Sequence, residues 1–100
     1  MKLYLDDERP IPEGYDVLAK NAKVAIEILR SCYVHEVSLD HDLGEGDVGN
    51  GYEVICFIEE MAYLNSWWNV PVIHIHTANP AARIKMQKAL ENIAKIVANR

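Results

Sequence analysis

Four short apolar runs, separated by stretches of helical period, constrain this chain more than any other feature. The runs are Lys2–Leu5, Val17–Ala19, Val34–Leu39 and Val70–His76. Between the second and third, Ala22, Ala25, Ile26 and Leu29 fall at the i, i+3, i+4, i+7 spacing of one buried helix face. Asn21 stands at the N-cap position of that helix, which ends near Ser31. A second helix is predicted from Gly51 or Tyr52 to Leu64, with Val54, Ile55, Ile58, Met61 and Ala62 on its apolar side. Asn79 and Pro80 supply an N-cap and an N1 residue for a third, which keeps helical period through Met86, Leu90, Ile93 and Val97. Strands alternating with helices imply a parallel sheet covered on both faces.

The first link breaks the alternation. Glu8 to Tyr15 holds Pro10, Pro12 and Gly14 and reads as loop. It is shorter than the dozen or more residues a parallel crossover ordinarily uses. At ~3.3 Å per residue it can still run back, so parallel pairing stands with antiparallel pairing as the fallback. The predicted class is α/β: a four-stranded, mostly parallel sheet with three helices.

With 100 residues the chain has room for one domain, residues 1–100, and a core that buries roughly 65% of the unfolded surface. A net charge of -5 argues against a broad basic surface for gripping nucleic acid. No apolar run approaches the ~18 residues of a membrane span. Lys2-Leu3-Tyr4-Leu5 passes straight into charge, so neither membrane nor signal segment is expected, and the protein reads as cytoplasmic. Cys32 and Cys56 match no zinc or redox spacing and read as buried thiols in a reducing compartment.

Polar residues collect where the strands end. Asp6 and Asp7 follow the first strand, Asp40 and Asp42 the third, and His76 and Thr77 close the fourth. In an open parallel sheet those ends form one edge, and ligands bind in its crevice. Carboxylates crowded there repel one another unless something positive sits between them. A hard divalent cation, Mg²⁺ or Mn²⁺, is the economical solution. Asp40-x-Asp42 is no EF-hand, because Glu45 and Gly51 stand where that loop needs glycine and glutamate. Gly44 to Gly51 lacks the Gly-Lys-Ser/Thr ending of a P-loop and reads instead as a lid beside the site.

Arg9 offers a bidentate fork to phosphate oxygens, with a surface salt bridge to Glu8 or Glu13 as the alternative. The helix start at Asn79 offers N–H groups and a favourable dipole to an anion. His74 and His76 share one strand face; His74 reads as a core histidine and His76 as a group at the rim that can act as acid or metal ligand. His35 reads as surface. Trp67 and Trp68 read as a cap on the core or a dimer contact rather than a base-stacking platform.

The acid pair, Asp40 and Thr77 together resemble the acidic pocket, phosphoacceptor and hydroxyl positions of a response-regulator receiver domain. Two receiver parts are missing: a helix between the first two strands, and a fifth strand with its lysine after Thr77. The phrases LDDERPIP, SLDHDLG with its glycine-rich follow-on, and HTANPAA resemble a closer family over nearly the whole chain, the cyclic-phosphate-processing receiver domains. That resemblance implies a truncated receiver-like, flavodoxin-like fold and a metal-dependent phosphoesterase site for cyclic phosphates of nucleotides or RNA ends. Carried over by position, Asp6, Asp7, Asp40 and Asp42 would hold Mg²⁺ or Mn²⁺. Arg9, Asn79 and His41 would hold phosphate, and His76 would work with Asp40 and Thr77 in the chemistry. The partner expected is a small phosphorylated substrate or short RNA end. The alternatives are a signalling receiver phosphorylated on Asp40, and a module that binds a nucleotide or protein without catalysis. The sequence leaves the oligomeric state open.

Overall fold

A computed structural model describes residues 1–40 and 50–100. The chain runs β1 (Lys2–Leu5), β2 (Val17–Ala19), α1 (Ala22–Ser31), β3 (Glu36–Leu39), α2 (Gly51–Leu64), β4 (Val72–Ile75) and α3 (Pro80–Ala98). The strands form one sheet in the order β2-β1-β3-β4, with every neighbouring pair parallel. β3 and β4 are shorter than the apolar runs that contain them. At β4 the reason is Pro71, which has no N–H to give a ladder.

The short first link returns without a helix. Asp16 closes it, taking a backbone bond to the Lys2 carbonyl at 2.9 Å while its carboxylate accepts from the Lys2 N–H at 2.7 Å. Each helix begins at an asparagine. The Asn21 side chain accepts from Val24 N–H at 2.8 Å, Asn50 from Glu53 at 3.1 Å and Asn79 from Ala82 at 3.1 Å. Such a cap contributes about 1 kcal/mol.

The expected cover of helices on both faces is not what forms. Leu3, Leu5, Val37 and Leu39 are fully buried in one cluster with Leu29 of α1, Val54, Ile55 and Ile58 of α2, and Met86 of α3. All three helices therefore lie on one face. Handedness explains it: the crossovers from β2 to β3 and from β3 to β4 move the same way across the sheet, so both pack on the same side. The link from β1 to β2 moves the opposite way and is the loop.

The other face carries Lys2 and Tyr4, Glu36 and Ser38, Val72 and His74 in register across β1, β3 and β4. Among the described residues no helix covers it. Tyr15 of the first loop packs edge-on against Tyr4, with ring centres 5.2 Å apart. Beyond that shelter the face is wet. Glu36 lies 3.7 Å from Lys2 Nζ and 3.6 Å from His74 Nε2. His74 is therefore exposed rather than a core residue, since β4 is an edge strand whose second face has no layer above it.

Both cysteines are also exposed, not buried. Trp68 packs edge-on against Phe57, while Trp67 is 75% exposed. Between β4 and α3 runs an apolar groove of about 440 Å³, lined by Val70, Ile73, Leu90, Ala94 and Val97 among others. No helix among the described residues is long and apolar enough to cross a membrane.

Candidate functional site at the carboxyl edge of the sheet

Leu5, Leu39 and Ile75 stand in one row across the sheet, and the next residue of each strand is Asp6, Asp40 and His76. The ladder continues through them. Asp40 N–H donates to Leu5 O at 3.1 Å and His76 N–H to Leu39 O at 3.0 Å, while Asp6 N–H donates to Ala19 O at 3.0 Å on the other side. Because side chains alternate, all three turn to the face without helices. The chain leaves β1 toward β2 on one side while β3 flanks it on the other. The site thus sits where the strand order reverses, the usual crevice of an open parallel sheet.

Asp6 is its centre and is 1% exposed. Its Oδ1 accepts the Glu8 and Arg9 backbone N–H groups at 2.9 Å each, so the turn after β1 is wrapped around the carboxylate. Its Oδ2 accepts from Arg9 Nη1 at 3.0 Å and His76 Nε2 at 3.1 Å. Burial pushes the Asp6 carboxyl upward, but those four donors outweigh it and hold the group below the usual carboxylate range.

Arg9 spans the site. Nη1 also donates to the His76 carbonyl at 3.1 Å and lies 3.8 Å from Asp40 Oδ2. The positive charge that two neighbouring carboxylates call for is thus supplied here by the guanidinium. The fork that the sequence offers to phosphate is turned inward, and the salt bridge it makes is to Asp6, not to Glu8 or Glu13.

His76 is held on both ring nitrogens and on its face. Nδ1 is 2.7 Å from Ser38 Oγ, Nε2 faces Asp6, and the ring stacks on Tyr4 at 4.5 Å with 4° between planes. Burial lowers its pKa below the ordinary imidazole value, opposed by the hydrogen bond to Asp6 and the charge of Asp40. Tyr4 is raised, first by burial and then by Asp6.

The remaining expected residues are placed as follows. Thr77 is buried, its Oγ1 accepting from Asn79 N–H at 3.1 Å and its carbonyl from Arg83 Nη2 at 3.1 Å. Asn79 caps α3, and Pro80 has no N–H, so the helix start holds few donors for an anion. Asp7 is half-buried and does not join the converging set among the described residues. His41 and Asp42 lie outside the described residues, as does all but the last two positions of the Gly44 to Gly51 stretch expected to form a lid.

Residues not singled out in the sequence also build the site. Ser38 and Tyr4 secure His76, and Arg83 ties down Thr77. Gly51 opens α2 against the Asp40 carbonyl, whose oxygen would lie 2.0 Å from any Cβ there. Ser38 was the most findable of these, as a polar residue inside an apolar strand two positions before Asp40.

Asp6, Asp40 and His76 each offer a ligand atom, all within 4.8 Å of one another. Two carboxylate oxygens and an imidazole nitrogen, with one Arg9 charge against two negative ones, fit a divalent cation. Such an ion competes with Arg9 Nη1 for Asp6 Oδ2.

A family model described as the cyclic-phosphate processing receiver domain matches residues 1–92. Among solved structures the chain is similar to one titled MaeR response regulator bound to beryllium trifluoride. The TM-score is 0.52 and the identity 12%, covering 94% of this chain and 97% of that one. At that identity the likeness is one of fold. No curated protein matches the chain.

Proposed function

The chain belongs to the family of cyclic-phosphate processing receiver domains, and from that premise we propose that it opens cyclic phosphates of nucleotides or short RNA ends with the help of a divalent metal. The observation that carries this reading is the convergence of Asp6, Asp40 and His76 within 4.8 Å at the carboxyl edge of the sheet. Asp6 and Asp40 would hold the ion, with Asp7 and Asp42 as the other candidate acids. A bound Mg²⁺ or Mn²⁺ neutralises phosphate charge and lowers the pKa of a coordinated water.

The chain's own groups do the rest. Arg9 stands beside the carboxylates, where its guanidinium would offer a fork to phosphate oxygens. His76, at the rim, would present a hydrogen to the substrate. Tyr4 behind the ring and the loop through Tyr15 shield that side from water. The acidic surface offers no broad basic footprint, which supports a small substrate over a long strand.

A second reading, phosphorylation of Asp40 as in a signalling receiver, is supported by the shared fold and by the place of Asp40 at the end of β3. Among the described residues the cation paired with Asp6 and Asp40 is Arg9, not a lysine. Weak or absent binding of beryllofluoride with Mg²⁺ is therefore expected, and tight binding would favour signalling.

The direct test is incubation with 2′,3′-cyclic nucleotides and Mg²⁺ or Mn²⁺, followed by ³¹P NMR after the metal is chelated. Ring opening to one monoester is the expected result. No turnover with any divalent metal would leave the chain a binding module.

A further inference from the structure

Ser38 sits in the middle of β3 with 6% of its surface exposed, and its hydroxyl lies 2.7 Å from His76 Nδ1. On the other side of the ring, Nε2 is 3.1 Å from Asp6 Oδ2. An ionised carboxylate has only lone pairs to offer, so the hydrogen in the Asp6 contact belongs to His76 Nε2. A neutral ring then has a bare Nδ1, and the partner that can donate to it is the Ser38 hydroxyl. Tyr4, stacked at 4.5 Å with 4° between planes, prevents the ring from turning to exchange these roles.

We infer that Ser38 is a positioning residue that fixes His76 as an Nε2–H donor, so that the imidazole meets the substrate as a hydrogen-bond donor and not as a base or a metal ligand. This rests on the hydrolytic reading above for its use, though not for its geometry. A metal ligand or a base would need a lone pair at Nε2, which this arrangement denies. A donor N–H beside Asp6 suits a phosphate oxygen on which negative charge grows. Neutral imidazole serves as an electrophile of this kind in other enzymes. The metal set then narrows to the carboxylates; in the free protein the one Nε2 hydrogen is held on Asp6 Oδ2, and a bound phosphate oxygen would take it over.

The experiment is long-range ¹H–¹⁵N correlation NMR of the His76 ring in ¹⁵N-labelled protein, at a pH where the ring is neutral, before and after adding Mg²⁺ alone. The wild type is expected to carry its hydrogen on Nε2 in both states. Ser38→Ala should give a mixture of the two tautomers, and Ser38→Thr, which keeps the hydroxyl, should restore the single one. With a cyclic nucleotide as substrate, Ser38→Ala should lower kcat about tenfold while KM changes little, as for the loss of a partner that orients a functional side chain.

A hydrogen on Nδ1 in the wild type would overturn the inference, as would its loss from Nε2 when Mg²⁺ is added. An unchanged ring in Ser38→Ala would also overturn it. The two wild-type spectra keep the test decisive if Ser38→Ala does not fold. Absence of hydrolysis would sink the proposed function while leaving the tautomer result to stand or fall separately.

Discussion

The two faces of the sheet are built from the same strands and do different work. On one, Leu3, Leu5, Val37 and Leu39 are fully buried beneath three helices. On the other, one residue along in each strand, stand Tyr4, Ser38 and His74; among the described residues Tyr4 packs against Tyr15 of the proline-bearing loop and the His76 ring, while His74 is exposed. A one-residue step changes an alkyl core into a polar rim because side chains alternate. The face without helices is the one that a ligand can reach, and Asp6, Asp40 and His76 all open onto it. The helix face holds the core, and the other face holds the candidate site.

The largest effects should come from the helix face. Leu39→Ala removes a fully buried side chain at the centre of the cluster. It should cost about 2–5 kcal/mol in urea denaturation. Gly51→Ala bridges the two faces, since its Cβ would meet the Asp40 carbonyl oxygen at 2.0 Å. Backbone must move, and a loss of about 1–3 kcal/mol is expected, with a shifted Asp40 amide in the NMR spectrum. A neutral Gly51→Ala would show that α2 and the rim are not packed as described.

The bare face should answer to pH. Asp6 has a carboxyl held low in the folded state, so its contribution to stability is complete above the unfolded carboxylate pKa of about 4 and is lost as pH falls through the lower folded value. His76, lowered by burial, adds stability that is lost as pH falls below about 6.5 toward its folded value. Both slopes have the same sign, so melting temperature should fall on acidification in two stages. Arg9 stays charged throughout, and among the described residues Asp40 and the Tyr4 phenol also face the pair. Asp6→Asn should flatten the lower stage and lower stability at pH 7 by about 1–3 kcal/mol, because buried donors lose a charged acceptor. An unchanged acid limb in that variant would mean that the network around Oδ1 and Oδ2 is not formed.

The smallest effects belong to the wet part of the same face. Val72→Thr, at a position 57% exposed, should alter stability by no more than about 0.5 kcal/mol. A loss comparable to Leu39→Ala would show that another layer covers this face.

Much of this division was legible in the sequence, and the misses share a cause. Helical period, asparagine caps and acids at strand ends are local signals, and they located the helices, strands and the residues Asp6, Asp40 and His76. Strand order is not local, and without it nothing said that both crossovers run the same way and leave one face bare. His74 was misplaced for that reason, although Ile73-His74-Ile75-His76 already alternates apolar and polar as a half-exposed strand does. Cys56 was misread as buried because its apolar character was weighed without its place on α2, away from the Val54, Ile55, Ile58 and Ala62 side. The carboxylate repulsion that suggested a metal is answered in part by Arg9, three residues beyond Asp6, whose single charge faces two carboxylates. Ser38 escaped notice because a lone serine in a strand carries no motif.

The claim that the rim at Asp6 and Asp40 takes a divalent cation is tested most directly by thermal unfolding with and without millimolar Mg²⁺ or Mn²⁺, in the wild type and in Asp40→Asn. A ligand that binds only the folded state adds about 2.7 kcal/mol at a concentration of about 100 Kd. The wild type should show a metal-dependent rise in melting temperature, and Asp40→Asn should fold without it. An equal rise in both proteins, or none in the wild type, would contradict the account.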